Sequence, residues 1–150
     1  MTENHDLALD QLQATLAAMP PVSAMQIRIA GYNGRVLRLQ APLQCNLNDK
    51  GNAFGGSLAS LMTLAGWALT QLQVNLAGRK ADVYVADSTI RYRAPVYGDL
   101  HASAQAASGQ DWDEFLDTLH KRGRARIVLH ALIGEGAAEL EGRFVAIAKD

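Results

Sequence analysis

The stretch Gly56–Gly78, GSLASLMTLAGWALTQLQVNLAG, decides the fold, because it contains no charged residue and its large apolar residues recur every three or four positions. The residues of this repeat are Leu58, Leu61, Met62, Ala65, Leu69, Leu72 and Leu76. The spacing predicts a helix from about 56 to 77, with Gly78 as its C-terminal stop. Further apolar residues on the other sides, among them Leu64 and Trp67, indicate that the rest of the protein surrounds this helix.

The uncharged segment, counted from Gly51 to Gly78, is also long enough to cross a bilayer. However, Asn, Ser, Thr and Gln residues are spread along it, and strand-like segments flank it on both sides. We therefore expect a buried core helix and no membrane span.

Segments on both sides of this helix alternate apolar and polar residues, as half-buried strands do. The predicted strands are 25–31, 35–41, 82–93, 100–107, 123–133 and 140–149. Two further helices are predicted at 4–19, which Pro20-Pro21 ends, and at 111–120. Turn sequences connect most strands directly, so antiparallel pairing is expected. The economical arrangement is a single α+β domain, 1–150, whose curved sheet wraps around the long helix and leaves open edges that favour dimerisation.

The composition limits the classes of function. The 14 Lys and Arg residues nearly balance the 15 Asp and Glu residues, for a net charge of -1, so no nucleic-acid partner is expected. Cys45 is the only cysteine, which excludes a disulfide framework and favours the reducing cytoplasm. The four histidines show no metal-ligand spacing, so no metal is expected.

A polar loop, NDKGNAFGGS at Asn48–Ser57, leads into the long helix. Its two glycines, Gly55 and Gly56, would let another molecule approach the backbone at the helix start, where amide N–H groups are free and the helix dipole is positive. Such a helix end stabilises an oxygen that gains negative charge during acyl transfer. The alternative is a tight turn capped by Ser57 or Asn52, without a ligand.

Several motifs resemble those of the hotdog thioesterases. The first is the helix start Phe54-Gly55-Gly56, where that group typically has His-Gly-Gly before a long apolar helix. The others are Leu64-Ala65-Gly66-Trp67 within the helix and the segment Asp87–Pro95, followed by Gly98-Asp99. More specifically, the chain from Met25 onward resembles the thioesterase family that forms the C-terminal half of certain bacterial acetyltransferase-like proteins. The resemblance implies a hotdog fold, assembled as a dimer or a dimer of dimers, that hydrolyses an acyl thioester.

The resemblance also implies roles for individual residues. By this likeness Asn48 orients the attacking water, and the backbone N–H groups of Gly55 and Gly56 polarise the thioester carbonyl. Phe54 stands where the family usually has histidine, and Thr63 stands where it has an acidic residue. Since threonine is no base near neutral pH, the general base has to come from elsewhere, with Thr63 in a supporting role.

Asp87 is the proposed replacement base, because a carboxylate in the middle of a Val-rich strand is costly without a partner. The alternation predicts that it shares a strand face with Val85 and Thr89, and we expect that face to look toward the helix start of a second subunit. The alternative is an ion pair with Arg91 or another arginine, or a contact at a dimer interface. Asp49 is the second candidate base, although turn chemistry alone explains an aspartate in such a loop.

The predicted function is hydrolysis of an acyl-CoA or acyl-carrier thioester at a site shared by two subunits, with coenzyme A or the carrier as part of the substrate and no separate cofactor. The residues predicted to bind substrate are Asp49, Phe54, Ser57, Ser88, Thr89 and Arg91. The basic run Lys121, Arg122, Arg124 and Arg126 is either a solvated strand edge or a contact for coenzyme A phosphates. A non-catalytic acyl-CoA binding or interaction domain is the first alternative, and a hotdog hydratase or dehydratase is the second.

Overall fold

In the computed structural model, which describes residues 2–149, a six-stranded antiparallel sheet curves around one long helix. The helices are α1 (Thr2–Ala18), α2 (Pro20–Met25), α3 (Gly55–Leu76) and α4 (Trp112–Arg122), and a 3₁₀ turn spans Leu43–Cys45. The strands are β1 (Arg28–Tyr32), β2 (Leu37–Ala41), β3 (Ala81–Tyr92), β4 (Leu100–Ala106), β5 (Arg124–Ile133) and β6 (Ala138–Ala148). Their order across the sheet is β1-β2-β4-β5-β6-β3, and every pairing is antiparallel, so the predicted α+β architecture is confirmed.

Helix α3 lies at the centre of the hydrophobic core, in contact with α1 and with strands β2 to β6. The predicted core residues of α3 are fully buried: Leu61, Ala65, Leu69 and Leu72. No helix among the described residues is both long and apolar enough to cross a membrane.

The end of α3 follows the prediction closely. Gly78 has a φ of 71°, in the left-handed region that glycine adopts without strain. Its N–H donates to the Asn75 carbonyl (3.0 Å), and the N–H of Arg79 donates to the Val74 carbonyl (3.1 Å). These two bonds satisfy two of the carbonyls left free in the last turn of the helix, which spans Gly55–Leu76 where 56–77 is predicted.

The N-terminal region differs from the prediction at one point. Pro20 and Pro21 do end α1, but they also begin a second helix, α2, because the missing proline N–H needs no partner in a first helical turn. Met25 belongs to this helix, and Gln26 follows in a left-handed conformation (φ 54°) that turns the chain. The first strand therefore starts at Arg28, and its predicted start at 25 is wrong.

The predicted second strand also begins too early. The side-chain oxygen of Asn33 accepts the N–H groups of Arg35 (2.9 Å) and Val36 (2.7 Å), which holds both residues in the hairpin turn. Strand β2 begins after them, at Leu37. The later strands and helix α4 lie within two residues of their predicted bounds.

Candidate active site

The first turn of α3 presents two backbone N–H groups without a protein partner. Phe54 precedes the helix with extended backbone (φ −63°, ψ 128°), and no side chain caps the helix. The N–H of Ser57 donates to the Phe54 carbonyl (2.9 Å), whereas those of Gly55 and Gly56 have no acceptor in the part of the chain that the structure describes. Neither Ser57 nor Asn52 caps the helix, so that part of the alternative is wrong, and the two free amides lie at the positive end of α3.

Asn48 closes the loop before the helix. Its side-chain oxygen accepts the N–H groups of Lys50 (2.8 Å) and Asn52 (3.2 Å), and its amide nitrogen donates to the Asn52 side-chain oxygen (2.6 Å). The N–H of Ala53 donates to the Val96 carbonyl (2.8 Å), which fixes the loop to the segment after β3. Both ends of the Asn48 side chain are thus engaged in the loop, and its role in orienting water stays a prediction.

Asp49, the second candidate base, is exposed and forms an ion pair with Lys50 (2.8 Å). The hydrogen bond and the charge of the Lys50 ammonium hold the pKa of the Asp49 carboxyl below its usual value of 3.8. A carboxylate with a lowered pKa is a poorer proton acceptor, so this contact disfavours Asp49 as a general base.

Two aromatic rings flank the free amides. The Phe54 ring, 55% exposed, lies against Gly56 so closely that a Cβ there would come within 2.4 Å of the ring. The Tyr92 ring lies beside Gly55, 3.7 Å from the corresponding Cβ position, and its hydroxyl donates to the Gly55 carbonyl at 3.5 Å. Phe54 thus forms an apolar wall at the helix start, packed against the side of Gly56 where another residue would carry its Cβ.

Thr63 lies on the same face of α3 as Gly56, two turns or about 10 Å further along the helix. One more turn along this face, the Trp67 indole N–H donates to the Val83 carbonyl (3.0 Å), which fixes the face toward β3. Ser57, in contrast, is buried beneath the helix start, so direct contact with a substrate is not supported by its position.

Strand β3 contains a β-bulge that changes the orientation of Asp87. Val85 pairs with Phe144 and Asp87 pairs with Arg143, so Ala86 is an extra residue in the strand. Because paired residues point to the same side of a sheet, Val85 lies on the side of buried Phe144, and Asp87 lies on the opposite, outer side. The prediction that Asp87 shares a face with Val85 is wrong, since simple alternation does not allow for the bulge.

The Asp87 carboxylate accepts a hydrogen bond from the Arg143 guanidinium (2.6 Å) and is 61% exposed. The alternative of an ion pair with another arginine is therefore confirmed. The geometry does not favour Asp87 as the general base, because its partner lies on the outer face while the free amides lie on the helix side.

Of the substrate-binding residues predicted in β3, Ser88 lies on the helix side of the sheet. It pairs with Gly142 of β6, and its Cβ is 3.4 Å from the point where a Cβ on Gly142 would lie. Thr89 and Arg91 pair with outward-facing glutamates of β6 and lie on the outer face. The structure thus brings together Gly55, Gly56, Phe54, Thr63 and Ser88 on one side, and separates Asp87, Thr89 and Arg91 from them. Tyr92 is a residue of this site that was not predicted from the sequence, although the alternation along β3 places it on the same face as Ser88.

None of five cavities found in the described part of the chain is lined by the free amides of Gly55 and Gly56. No cluster of three or more His, Cys, Asp or Glu residues suited to a metal occurs among the described residues. The candidate site accordingly lies outside these five cavities, between the start of α3 and the second half of β3.

The fold and this helix start define the class of protein: an α+β hotdog domain of the thioesterase type. The chain belongs to the family described as "Putative thioesterase (yiiD_Cterm)", whose model matches residues 9–148. The resemblance stated from the helix-start motif is thereby confirmed, and so is the assignment to the thioesterases.

Solved structures support the same class. A protein of unknown function from Chlorobaculum tepidum TLS is 28% identical, with a TM-score of 0.90 and 96% of both chains covered. A "putative thioesterase" from Shewanella oneidensis is also 28% identical, with a TM-score of 0.84, covering 95% of this chain and 99% of the other. A thioesterase from Haemophilus influenzae, 15% identical with a TM-score of 0.68 over 93% of this chain and 90% of its own, shares the fold.

One curated relative matches only a short segment. The arginine–tRNA ligase of Nitrosomonas europaea is 48% identical over 46 residues, which is 30% of this chain and 8% of the ligase. The chain therefore spans a small fraction of that protein, and no argument about aminoacylation follows from the match.

Proposed function

We propose that this protein hydrolyses an acyl-CoA or acyl-carrier thioester at a site completed by a second copy of the chain. The observation that carries the proposal is the pair of unpartnered amides at Gly55 and Gly56, at the positive end of a long buried helix. Such donors stabilise the oxygen of a thioester carbonyl as it gains charge on attack by water. Water then adds to the carbonyl carbon, the C–S bond breaks, and the products are a carboxylate and a free thiol.

A second copy is expected along β3. This strand is the last in the sheet, so one side of its backbone pairs with nothing among the described residues, and its side chains are exposed on both faces from Tyr84 to Thr89. Tyr84, Val85 and Tyr92 leave apolar surface there. Pairing two such edges would satisfy the backbone and bury that surface.

The symmetry of such a dimer constrains its geometry. A two-fold axis makes the paired β3 strands antiparallel, and full overlap of the strand Ala81–Tyr92 puts Ala81 opposite the partner's Tyr92. Tyr92 touches Gly55, so the helix start of one subunit would lie near the first residues of β3 in the other. The first residues of β3 in the partner would thus contribute to the site on each chain.

The source of the general base stays a prediction. Asp87 and Asp49 are the carboxylates proposed from the sequence, and both are engaged in ion pairs, with Arg143 and Lys50. Thr63 lies on the face of α3 that leads to the free amides, where its hydroxyl can position a water but cannot act as an ionised base. We therefore expect slow hydrolysis, driven mainly by polarisation of the carbonyl.

The role of the amides can be tested without disturbing the helix. Gly55 is the first helical residue, where proline is tolerated, and the extended backbone of Phe54 suits a residue that precedes proline. Gly55→Pro removes the N–H, whereas the control Gly55→Ala adds a Cβ at an ordinary 3.7 Å from Tyr92 and keeps the N–H. We expect turnover of Gly55→Pro to be roughly 10²–10³-fold below that of the alanine variant, the cost of losing one oxyanion donor. Equal turnover of the two variants would show that Gly55 does not hold the carbonyl oxygen.

The substrate is to be sought with a panel of acyl-CoA thioesters, measured by thiol release. Hydrolysis of at least one member is expected. The second candidate, a non-catalytic acyl-CoA binding domain, is favoured by the ion pairs that engage both carboxylates proposed as the base, Asp49 and Asp87, and binding without any thiol release would establish it. We place this activity in the cytoplasm, where exposed Cys45 would stay reduced.

A further inference from the structure

A cavity of about 500 Å³ lies between α1, the C-terminal half of α3 and the first residues of β3. Arg79, Lys80 and Lys149 line it, together with Trp67 and Gln71 of α3. A second cavity of about 310 Å³ adjoins it and shares the same three basic residues. The combined space is within the size range of small-molecule sites in proteins.

The basic residues of this cavity, called here the Arg79 cluster (Arg79, Lys80 and Lys149), come from two remote parts of the sequence. The backbone N–H of Lys149 donates to the Lys80 carbonyl (3.0 Å), which holds the end of β6 beside the start of β3. Lys149 forms an ion pair with Asp82 (3.1 Å), whereas Arg79 and Lys80 have no carboxylate within 4.0 Å among the side chains of residues 4–149. Two uncompensated cations therefore face one cavity and favour an anionic ligand.

The opposite wall has a different chemistry. The Trp67 indole is held by its hydrogen bond to the Val83 carbonyl, and the Gln71 side-chain nitrogen donates to the Asn75 side-chain oxygen (3.0 Å). An indole and carboxamides offer a flat surface and hydrogen-bonding groups to a heterocyclic base. A ligand with a polar aromatic ring and several phosphates would use both walls.

We propose that this cavity binds the nucleotide end of a CoA thioester, through phosphates on the Arg79 cluster and the adenine ring near Trp67. The inference rests on the proposed function. Within one chain, α3 separates the free amides from the cluster by about 30 Å, the length of the helix. In the edge-paired dimer, however, the first residues of β3 lie beside the partner's Tyr92, and so beside the partner's free amides. One substrate would thus place its thioester on one subunit and its nucleotide on the other.

The occupant is CoA rather than a carrier protein. A carrier protein presents its phosphopantetheine arm from a folded surface, and it brings no nucleotide to fill a cavity of about 500 Å³. The indole and carboxamide wall matches the base that only the CoA form of the substrate has.

The test compares thioesters with the same acyl group on CoA and on N-acetylcysteamine, which lacks the nucleotide and its phosphates. The variant is Arg79→Glu/Lys80→Glu, and the matched control, Arg35→Glu/Arg38→Glu, makes the same charge change at exposed sites outside this cavity. We expect the ratio of kcat/KM for the CoA thioester to that for the N-acetylcysteamine thioester to fall roughly 10-fold to 100-fold in the variant, mainly through KM, because two charge-assisted contacts are reversed. The control should keep the wild-type ratio.

Calorimetric titration of CoA itself into each protein measures the cavity separately from hydrolysis. It therefore distinguishes a failure of this inference from a failure of the proposed function. If the wild-type protein binds CoA but cleaves no thioester, and CoA binding is lost in the Arg79→Glu/Lys80→Glu variant, the CoA site is supported and the proposed hydrolysis is wrong. If hydrolysis proceeds and the variant keeps the wild-type ratio and CoA affinity, the cavity inference is overturned. The inference is also overturned if Arg79→Glu/Lys80→Glu impairs hydrolysis of an acyl-carrier-protein thioester but leaves CoA binding unchanged. Should the double charge reversal fail to fold, Arg79→Gln/Lys80→Gln is compared in the same way.

Discussion

Gly66→Ala is expected to destabilise the protein, although the same change in an ordinary helix interior is stabilising. A Cβ at position 66 would lie 2.5 and 2.7 Å from two carbons of the Phe144 ring. The ring is fully buried, and on the sheet side it lies only 3.2 Å from the Cβ position of Gly142. Phe144 therefore occupies a fully buried slot between α3 and β6, where Gly66 and Gly142 both lack the side chain that would collide with the ring.

The magnitude follows from two opposing effects. Overpacking a closed core site costs about 1–3 kcal/mol, and this slot belongs in the upper part of that range. Replacing Gly by Ala within a helix offsets about 1 kcal/mol of the cost. We expect a net loss of about 1–2 kcal/mol in the free energy of unfolding of Gly66→Ala, or roughly 2–8 °C in Tm for a chain of this size.

Gly56→Ala is the matched control in the same helix. Its Cβ would also meet a phenylalanine ring, that of Phe54, at 2.4 Å. That ring is 55% exposed and can turn into solvent, so the free energy of unfolding should change by about 0.5 kcal/mol or less. The comparison separates a Cβ that meets a confined ring from a Cβ that meets a mobile one.

The free energy of unfolding of both variants is measured by urea unfolding followed by circular dichroism. One protein concentration is used throughout, because association of subunits would otherwise contribute to the apparent stability. A second background, Phe144→Leu, completes the cycle: there Gly66→Ala should be neutral or stabilising, with a coupling energy of about 1 kcal/mol or more. A Gly66→Ala variant that is more stable than the wild-type protein, or that loses the same stability in both backgrounds, would show that the Phe144 ring does not confine position 66.

Three further outcomes are expected. Asp87→Asn should lower turnover less than about threefold and stability by at most about 1 kcal/mol, because the carboxylate forms an exposed ion pair with Arg143; a loss of 100-fold or more in turnover would restore Asp87 as the base. Leu69→Ala should cost about 2–5 kcal/mol in denaturant unfolding, since Leu69 is fully buried, and a cost below about 1 kcal/mol would contradict its place in the core. The hydrogen bond from Arg93 holds the pKa of Glu139 below its usual 4.5. The ionised Glu139 therefore stabilises the fold above pH 4.5, and this stabilisation is lost as the pH falls through the lowered pKa. The difference in unfolding free energy between wild type and Glu139→Gln should shrink below pH 4.5, and a difference that does not change with pH would contradict this prediction.

Sedimentation at micromolar concentration tests the assembly on which the proposed site depends. The expected mass is twice the 16.1 kDa of the chain, or a multiple of it. A clean monomer that still hydrolyses thioesters would show that the site needs no second subunit.

The sequence by itself determined the central helix and most of the sheet. The apolar repeat of α3 predicted both its bounds and its burial, because a helix with apolar residues on every side is stable only inside a protein. The helix-start motif at Gly55 and Gly56 predicted free amides, since the first N–H groups of any helix lack internal partners. Both features depend on residues that are close together in the chain, so the pattern of a single sequence is sufficient to predict them.

Tertiary structure decided what depends on a partner strand or on distant segments. The bulge at Ala86 exists only relative to β6, so alternation along β3 placed Asp87 on the wrong face. Gly66 has no local explanation, and its reason is the ring of Phe144 on another element. The Arg79 cluster likewise forms because β6 returns beside the start of β3. Each of these features is a relation between residues far apart in the chain, and the pairing and packing that bring them together carry no periodic signal along it.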